Sequence, residues 1–221
     1  MIAAAGIAVI IGVGTFLATR APDQTQVAIS EPVTLKTTWA VPLFDGQSQT
    51  GWVAQKPGTQ WEVIPDPVEG AYALAVKARE KSEGSIRRRI SGLSSASPFF
   101  EVEFNLLLHT ATAAGLQFGM TETPSGYRLR VTRDDIALLN ESGEELHKTD
   151  SPPEVTKTLQ HVRLRLQETG WRVDVNSSAV GGAPPAQGIL PEIRLFMESG
   201  QAFFTDIIAR GLQSAEEESG S

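Results

Sequence analysis

Four stretches of this chain alternate apolar and polar residues with period two, and that pattern constrains its fold more than any other feature. In residues 100–106, Phe100, Val102, Phe104 and Leu106 alternate with Glu101, Glu103 and Asn105. Residues 126–131 set Tyr127, Leu129 and Val131 against Arg128 and Arg130. Residues 161–167 set Val162, Leu164 and Leu166 against His161, Arg163 and Arg165, and residues 171–176 set Trp171, Val173 and Val175 against Arg172, Asp174 and Asn176. Successive side chains of a strand point to opposite faces, so each stretch predicts a strand with one buried and one wet side, as antiparallel sheets allow.

Shorter candidates lie at 61–64, 71–76, 85–90, 115–120, 136–140, 192–198 and 202–209, with turn signals at Asn140-Glu141-Ser142-Gly143 and Glu168-Thr169-Gly170. The only helical hint is a single turn at Ser151-Pro152-Pro153-Glu154. About a dozen short antiparallel strands predict an all-β, two-sheet sandwich of jelly-roll type. Trp61 and Trp171 fall on apolar sides and read as core, while Trp39 and Trp52 flank a loop and read as a seal at one end.

Ahead of these strands, Ile2 to Thr19 is uncharged and is closed by Arg20. Eighteen helical residues span about 27 Å, enough for a bilayer core. The run lacks a cationic lead and a small-x-small cleavage site, so it reads as a transmembrane helix more readily than as a cleaved signal peptide. The expected organisation is therefore an anchor at 1–20, a polar, proline-bearing linker at 21–36, a β-sandwich at 37–212 and an acidic tail at 213–221.

With 19 Lys and Arg against 26 Asp and Glu, the 221-residue chain has a formal charge of −7, which counts against a nucleic-acid partner. Cysteine is absent, which removes disulfides and thiolate metal sites. The three histidines, His109, His147 and His161, form no HExxH or HxH pattern, and no motif asks for a metal or cofactor.

The chemistry that remains belongs to polar sheet faces. Glu101 and Glu103, two apart on one strand, send their carboxylates to the same side about 7 Å apart, a spacing that glycosidases use. The same outward positions also suit a lattice of cross-strand ion pairs with Arg128, Arg130, Arg163 and Arg165. Glu101, Glu103, Asn105, Gln117, Arg128 and Arg130 are the expected ligand-contacting set, with Glu101 and Glu103 the candidates for any catalytic role.

The order of short motifs resembles the 3-keto-disaccharide hydrolase domain family, a group of concanavalin A-like, laminin-G-like sandwiches. The resemblance opens with Val41-Pro42-Leu43-Phe44-Asp45-Gly46 and Gly51-Trp52 and continues through Trp61-Glu62-Val63, Ala114-Gly115-Leu116 and Gly126-Tyr127. It closes with Phe203-Phe204-Thr205-Asp206-Ile207. It implies a jelly roll that meets a glycan, with cleavage of 3-keto-glycosides as the enzymatic form. The chain departs from that pattern where Ala113-Ala114-Gly115 replaces Asn-Ser-Gly and where Arg128 and Arg130 replace Glu and Gln. Guanidinium in place of carboxylate reverses the local charge and removes a candidate base, so no catalytic role carries over.

The expected function is thus a membrane-anchored, extracytoplasmic jelly-roll module that binds a glycan or an envelope protein, of a kind that also serves as the sensory part of larger membrane proteins. A glycoside-cleaving hydrolase or lyase is the alternative.

Overall fold

The computed structural model describes residues 35–46, 50–65, 68, 72–91, 99–120, 126–167, 169–184 and 190–214. The expected transmembrane helix, most of the linker and all but the first two residues of the acidic tail lie outside them. Thirteen strands follow one another with no helix among the described residues: β1 (Leu35–Phe44), β2 (Val53–Ala54), β3 (Gln60–Pro65), β4 (Tyr72–Arg89), β5 (Phe100–Leu107), β6 (Ala113–Phe118), β7 (Tyr127–Thr132), β8 (Asp135–Leu139), β9 (Glu145–Asp150), β10 (Gln160–Gln167), β11 (Gly170–Val175), β12 (Ser178–Ala183) and β13 (Glu192–Ser214).

All pairings are antiparallel, and the two longest strands hold the architecture together. β13 pairs with β4 from Glu192↔Arg89 to Phe204↔Leu74. Its first half also pairs with β6, and its second half with β5 and β1. One sheet therefore runs β12-β11-β10-β5-β13, with β1 and the first half of β4 on the far side of β13 and β3 beyond β4. The other runs β9-β8-β7-β6-β13, continued by the second half of β4 and by β2. At the crossing the register slips: pairing stops at Glu198↔Glu83 and resumes at Gly200↔Ala78. Residues 79–82 bulge out there, pinned by a hydrogen bond from the Lys81 amide to Ser199 Oγ at 2.8 Å.

The inner faces meet over an apolar core, where Phe104, Phe118, Phe204, Leu74, Ile86, Leu106, Leu116 and Leu129 are fully buried. Each such side chain contributes about 1.5–3 kcal/mol. Trp171 of β11 lies 5.0 Å from Phe118 of the opposite sheet and stands edge-on to Phe100 at 5.5 Å. At the far edge, His147 of β9 crosses to β12, its Nε2 lying 3.1 Å from the Gly182 carbonyl.

Phe100, Val102, Phe104 and Leu106 lie inside as the alternation predicts, and so do Leu129, Val131, Val162, Leu164, Trp171 and Val173. Trp52 is buried, with Nε1 donating to the Leu43 carbonyl at 3.1 Å. The predicted boundaries move outward at both ends, because Leu35 and Lys36 pair with Ser214 and Gln213 in the ladder and so belong to the sheet. Residues 151–154 form no helix. β9, exposed at every position, gives no alternation to read.

Candidate functional site

The sequence-predicted set divides between the two outer faces. Glu101, Glu103 and Asn105 point outward from the first sheet, on β5. Gln117, Arg128 and Arg130 point outward from the second, on β6 and β7, in the register Gln117↔Arg128. They do not form one face. Alternation fixes which side of its own strand a residue takes, but long-range pairing decides which sheet that strand joins.

On the first sheet the two glutamates are embedded in guanidinium groups. Arg163 Nε donates to Glu103 Oε1 at 2.6 Å, and Arg165 Nε donates to Glu101. Arg210 of β13 bridges both, donating to Glu101 Oε1 at 3.0 Å and to Glu103. It fills the gap that a scissile glycosidic bond would need. Burial raises the Glu103 pKa, but the hydrogen bonds and charges of Arg210 and Arg163 outweigh it and hold the carboxyl below its ordinary range. A group in that state is ionised at neutral pH and has no proton to donate. Asn105 is likewise engaged, donating to Asp206 Oδ2 at 3.0 Å, with His161 Nδ1 3.2 Å from its carbonyl oxygen. Of the four arginines expected as partners, Arg163 and Arg165 take that place; Arg128 and Arg130 serve the other sheet.

On the second sheet, the Arg128 guanidinium lies 4.0 Å from the centre of the Phe196 ring and donates to Glu83 Oε2 at 2.8 Å. Lys56 meets the other Glu83 oxygen at 3.0 Å. Burial raises the Glu83 pKa, yet Arg128 and Lys56 outweigh it and the carboxyl ends below its ordinary range. Arg130 contacts Glu198 at 3.4 Å, Arg87 contacts Glu192 at 3.3 Å, and Arg194 donates to Gln117 Oε1 at 3.3 Å.

A concavity lies elsewhere, at the seam where β4 and β13 pass between the sheets. A groove of about 460 Å³ is lined there by Gln60, Lys77, Arg79, Thr110 and Gln201, with Gly58 and Gly200 at its walls. Gly200 makes the wall possible. Its φ is +102°, and a Cβ added to it would stand 2.6 Å from the Thr110 carbonyl oxygen. A smaller hollow of about 190 Å³ adjoins it, sharing Gln60 and Lys77 and adding Trp61 and Glu62. The Lys77–Glu62 ion pair forms its rim, and Trp61 Nε1 is buried with no hydrogen-bond partner.

Side-chain amides, a hydroxyl and two cations around a hollow of this size can hold a small polyhydroxylated ligand by many directed hydrogen bonds. None of these residues stands out in the sequence. The one signal was Ser199-Gly200, an interruption between two strand candidates that marks the crossing.

No family model matches the sequence, and no curated protein matches it. Solved structures do match in fold. A carbohydrate-binding module, CBM66, from Bacillus subtilis aligns with TM-score 0.54 at 16% identity, covering 73% of this chain and 96% of that one. A Bacillus subtilis protein of unknown function with a galectin-like fold gives 0.56 at 8% identity, covering 82% of this chain and 100% of that one. A sialidase gives 0.53 at 15% identity over 83% of this chain but only 19% of its own. At these identities the likeness establishes the fold: an antiparallel β-sandwich of the jelly-roll, galectin-like kind.

Proposed function

We propose that the sandwich is a glycan-binding module and that the groove at the seam seats the sugar. The observation that carries this reading is the groove itself: a hollow of about 460 Å³ ringed by Gln60, Thr110, Gln201, Lys77 and Arg79. Its volume lies within the range of small-ligand sites, and its donors and acceptors suit hydroxyl groups. The fold likeness to a carbohydrate-binding module supports the same reading. In this proposal the uncharged run from Ile2 to Thr19 tethers the module to a lipid bilayer, so that it samples glycans or envelope proteins outside the cytoplasm.

The test is a glycan array followed by calorimetry on the full-length chain, held in a detergent without a sugar headgroup. Gln60→Ala and Gln201→Ala are each expected to weaken binding about five- to tenfold by removing one or two hydrogen bonds. Glu101→Gln is expected to leave affinity unchanged. Binding that survives both groove variants would refute the assignment.

A further inference from the structure

At the centre of the second sheet's outer face, positive charge exceeds negative. Arg87, Arg128, Arg130, Arg194 and Lys56 stand against Glu83, Glu192 and Glu198, in a chain whose formal charge is −7. Further out, Lys148 is matched by Asp135 at 2.9 Å. The surplus is focused on Arg194. Its Nη2 lies no nearer than 3.7 Å to Glu192, and its Nε is buried with no hydrogen-bond partner. Beside it in the register, Ser85 pairs with Phe196, and Ser85 Oγ is also buried and unpartnered. Neither atom reaches solvent, so an outside anion meets the terminal guanidinium nitrogens of this face rather than these two. Burial lowers the Arg194 pKa, and so does repulsion from Arg87 and Arg128, beyond what Glu192 and Glu83 restore. An anion there would relieve that crowding. The first sheet's face differs, since Arg163, Arg165, Arg172 and Arg210 are balanced there by Glu101, Glu103, Asp174 and Asp206.

We infer that this face reads an anionic substituent, a carboxylate or a sulfate, on an extended oligosaccharide that leaves the groove and runs along the sheet, with Arg194 at its centre and Arg87 and Arg128 beside it. The inference rests on the glycan-binding reading and names the ligand class: an acidic glycan. The face begins beside the groove and runs away from it: Arg194 stands six residues before Gly200 on β13, about 20 Å at the rise of a strand, so an extended oligosaccharide is needed to reach both. Gly58 lines the groove, while Lys56, two residues earlier on the same turn, reaches across to Glu83. Arg79 lines the groove as well, and the bulge it opens ends beside Glu83. A carboxylate suits the planar edge of a guanidinium, where two parallel N–H donors meet two oxygens. Arg194 Nε is covered, so first contact falls to Arg87, whose side chain is 46% exposed, with the outer guanidinium nitrogens of Arg194 and Arg128 behind it.

The experiment pairs each acidic oligosaccharide with its neutral twin: oligouronates with their carboxyl-reduced forms, and sulfated oligosaccharides with their desulfated forms. Each is titrated calorimetrically into the full-length chain. The acidic member of at least one pair is expected to bind about tenfold tighter or more, by a margin that shrinks as salt rises. Which pair shows the preference separates carboxylate from sulfate. Arg194→Gln and Arg87→Gln are expected to abolish the preference while leaving affinity for the neutral twin in place. The comparison of twins on the unaltered chain does not depend on how the variants fold. Equal affinity for both twins, or a preference that survives both substitutions, overturns the inference and leaves the groove assignment standing. Binding to none of them overturns the inference, and the groove assignment is then decided by the glycan array and the groove variants.

Discussion

Glu103 shows how the outer faces of the sandwich are held. Its carboxylate meets Arg163, Arg210 and, at 3.8 Å, His161. Because these arginines depress its pKa below the ordinary 4.5, the unfolded chain takes up a proton there before the folded chain does. The stabilisation is therefore complete above about pH 4.5 and is lost as pH falls through the lower, folded-state value. Glu83, shifted the same way, adds to this. Thermal unfolding followed from pH 7 to pH 3 should show a falling midpoint, with a shallower fall in Glu103→Gln. At pH 7 that substitution should cost about 1–3 kcal/mol, because Arg163 and Arg210 each lose a charged partner. A midpoint in Glu103→Gln equal to the parent's would show that the lattice contributes nothing. That Glu101 and Glu103 face away from the core was legible from the alternation. Arg210 as their shared partner was not, because it arrives from a strand more than a hundred residues further along the chain.

Among the elements, β13 decides the topology. Its Phe204 pairs with Leu74 on one side and Leu106 on the other. The sequence reads β4 and β13 as two strands each, because the polar run Arg79-Glu80-Lys81-Ser82 and Ser199-Gly200 interrupt the two apolar patterns. Those interruptions are the crossing point, and the groove forms there. Gly200→Ala adds a clash with Thr110 to a left-handed backbone and should cost about 2–4 kcal/mol while weakening glycan binding. Gly58→Ala, with φ +84° and no atom within 4 Å of an added Cβ, should cost about 1 kcal/mol. Denaturant titration of the two variants checks the order, and equal costs would remove the steric argument. Trp171, packed on Phe100 and Phe118 from both sheets, is the stronger test of the sandwich itself. Trp171→Ala is expected to lose about 3–5 kcal/mol in the same assay.

For the whole molecule, the sandwich class was legible because period-two alternation, turn residues and the scarcity of helical signals agree. Assignment of strands to sheets was not, since it depends on pairings between distant segments, and so the predicted ligand set split across two faces. The groove was invisible for the same reason: Gln60, Thr110 and Gln201 lie far apart in sequence and converge only at the seam. The apolar run at 2–19 makes its own prediction. The full-length chain should stay with membranes through an alkaline carbonate wash, and a chain beginning at residue 21 should be released. The most direct test of the central claim is a crystal structure of the chain with the tightest ligand from the glycan array. The account predicts sugar density at the seam, hydrogen-bonded to Gln60 and Gln201. Density over Glu101 and Glu103, or no glycan bound at all, would contradict it.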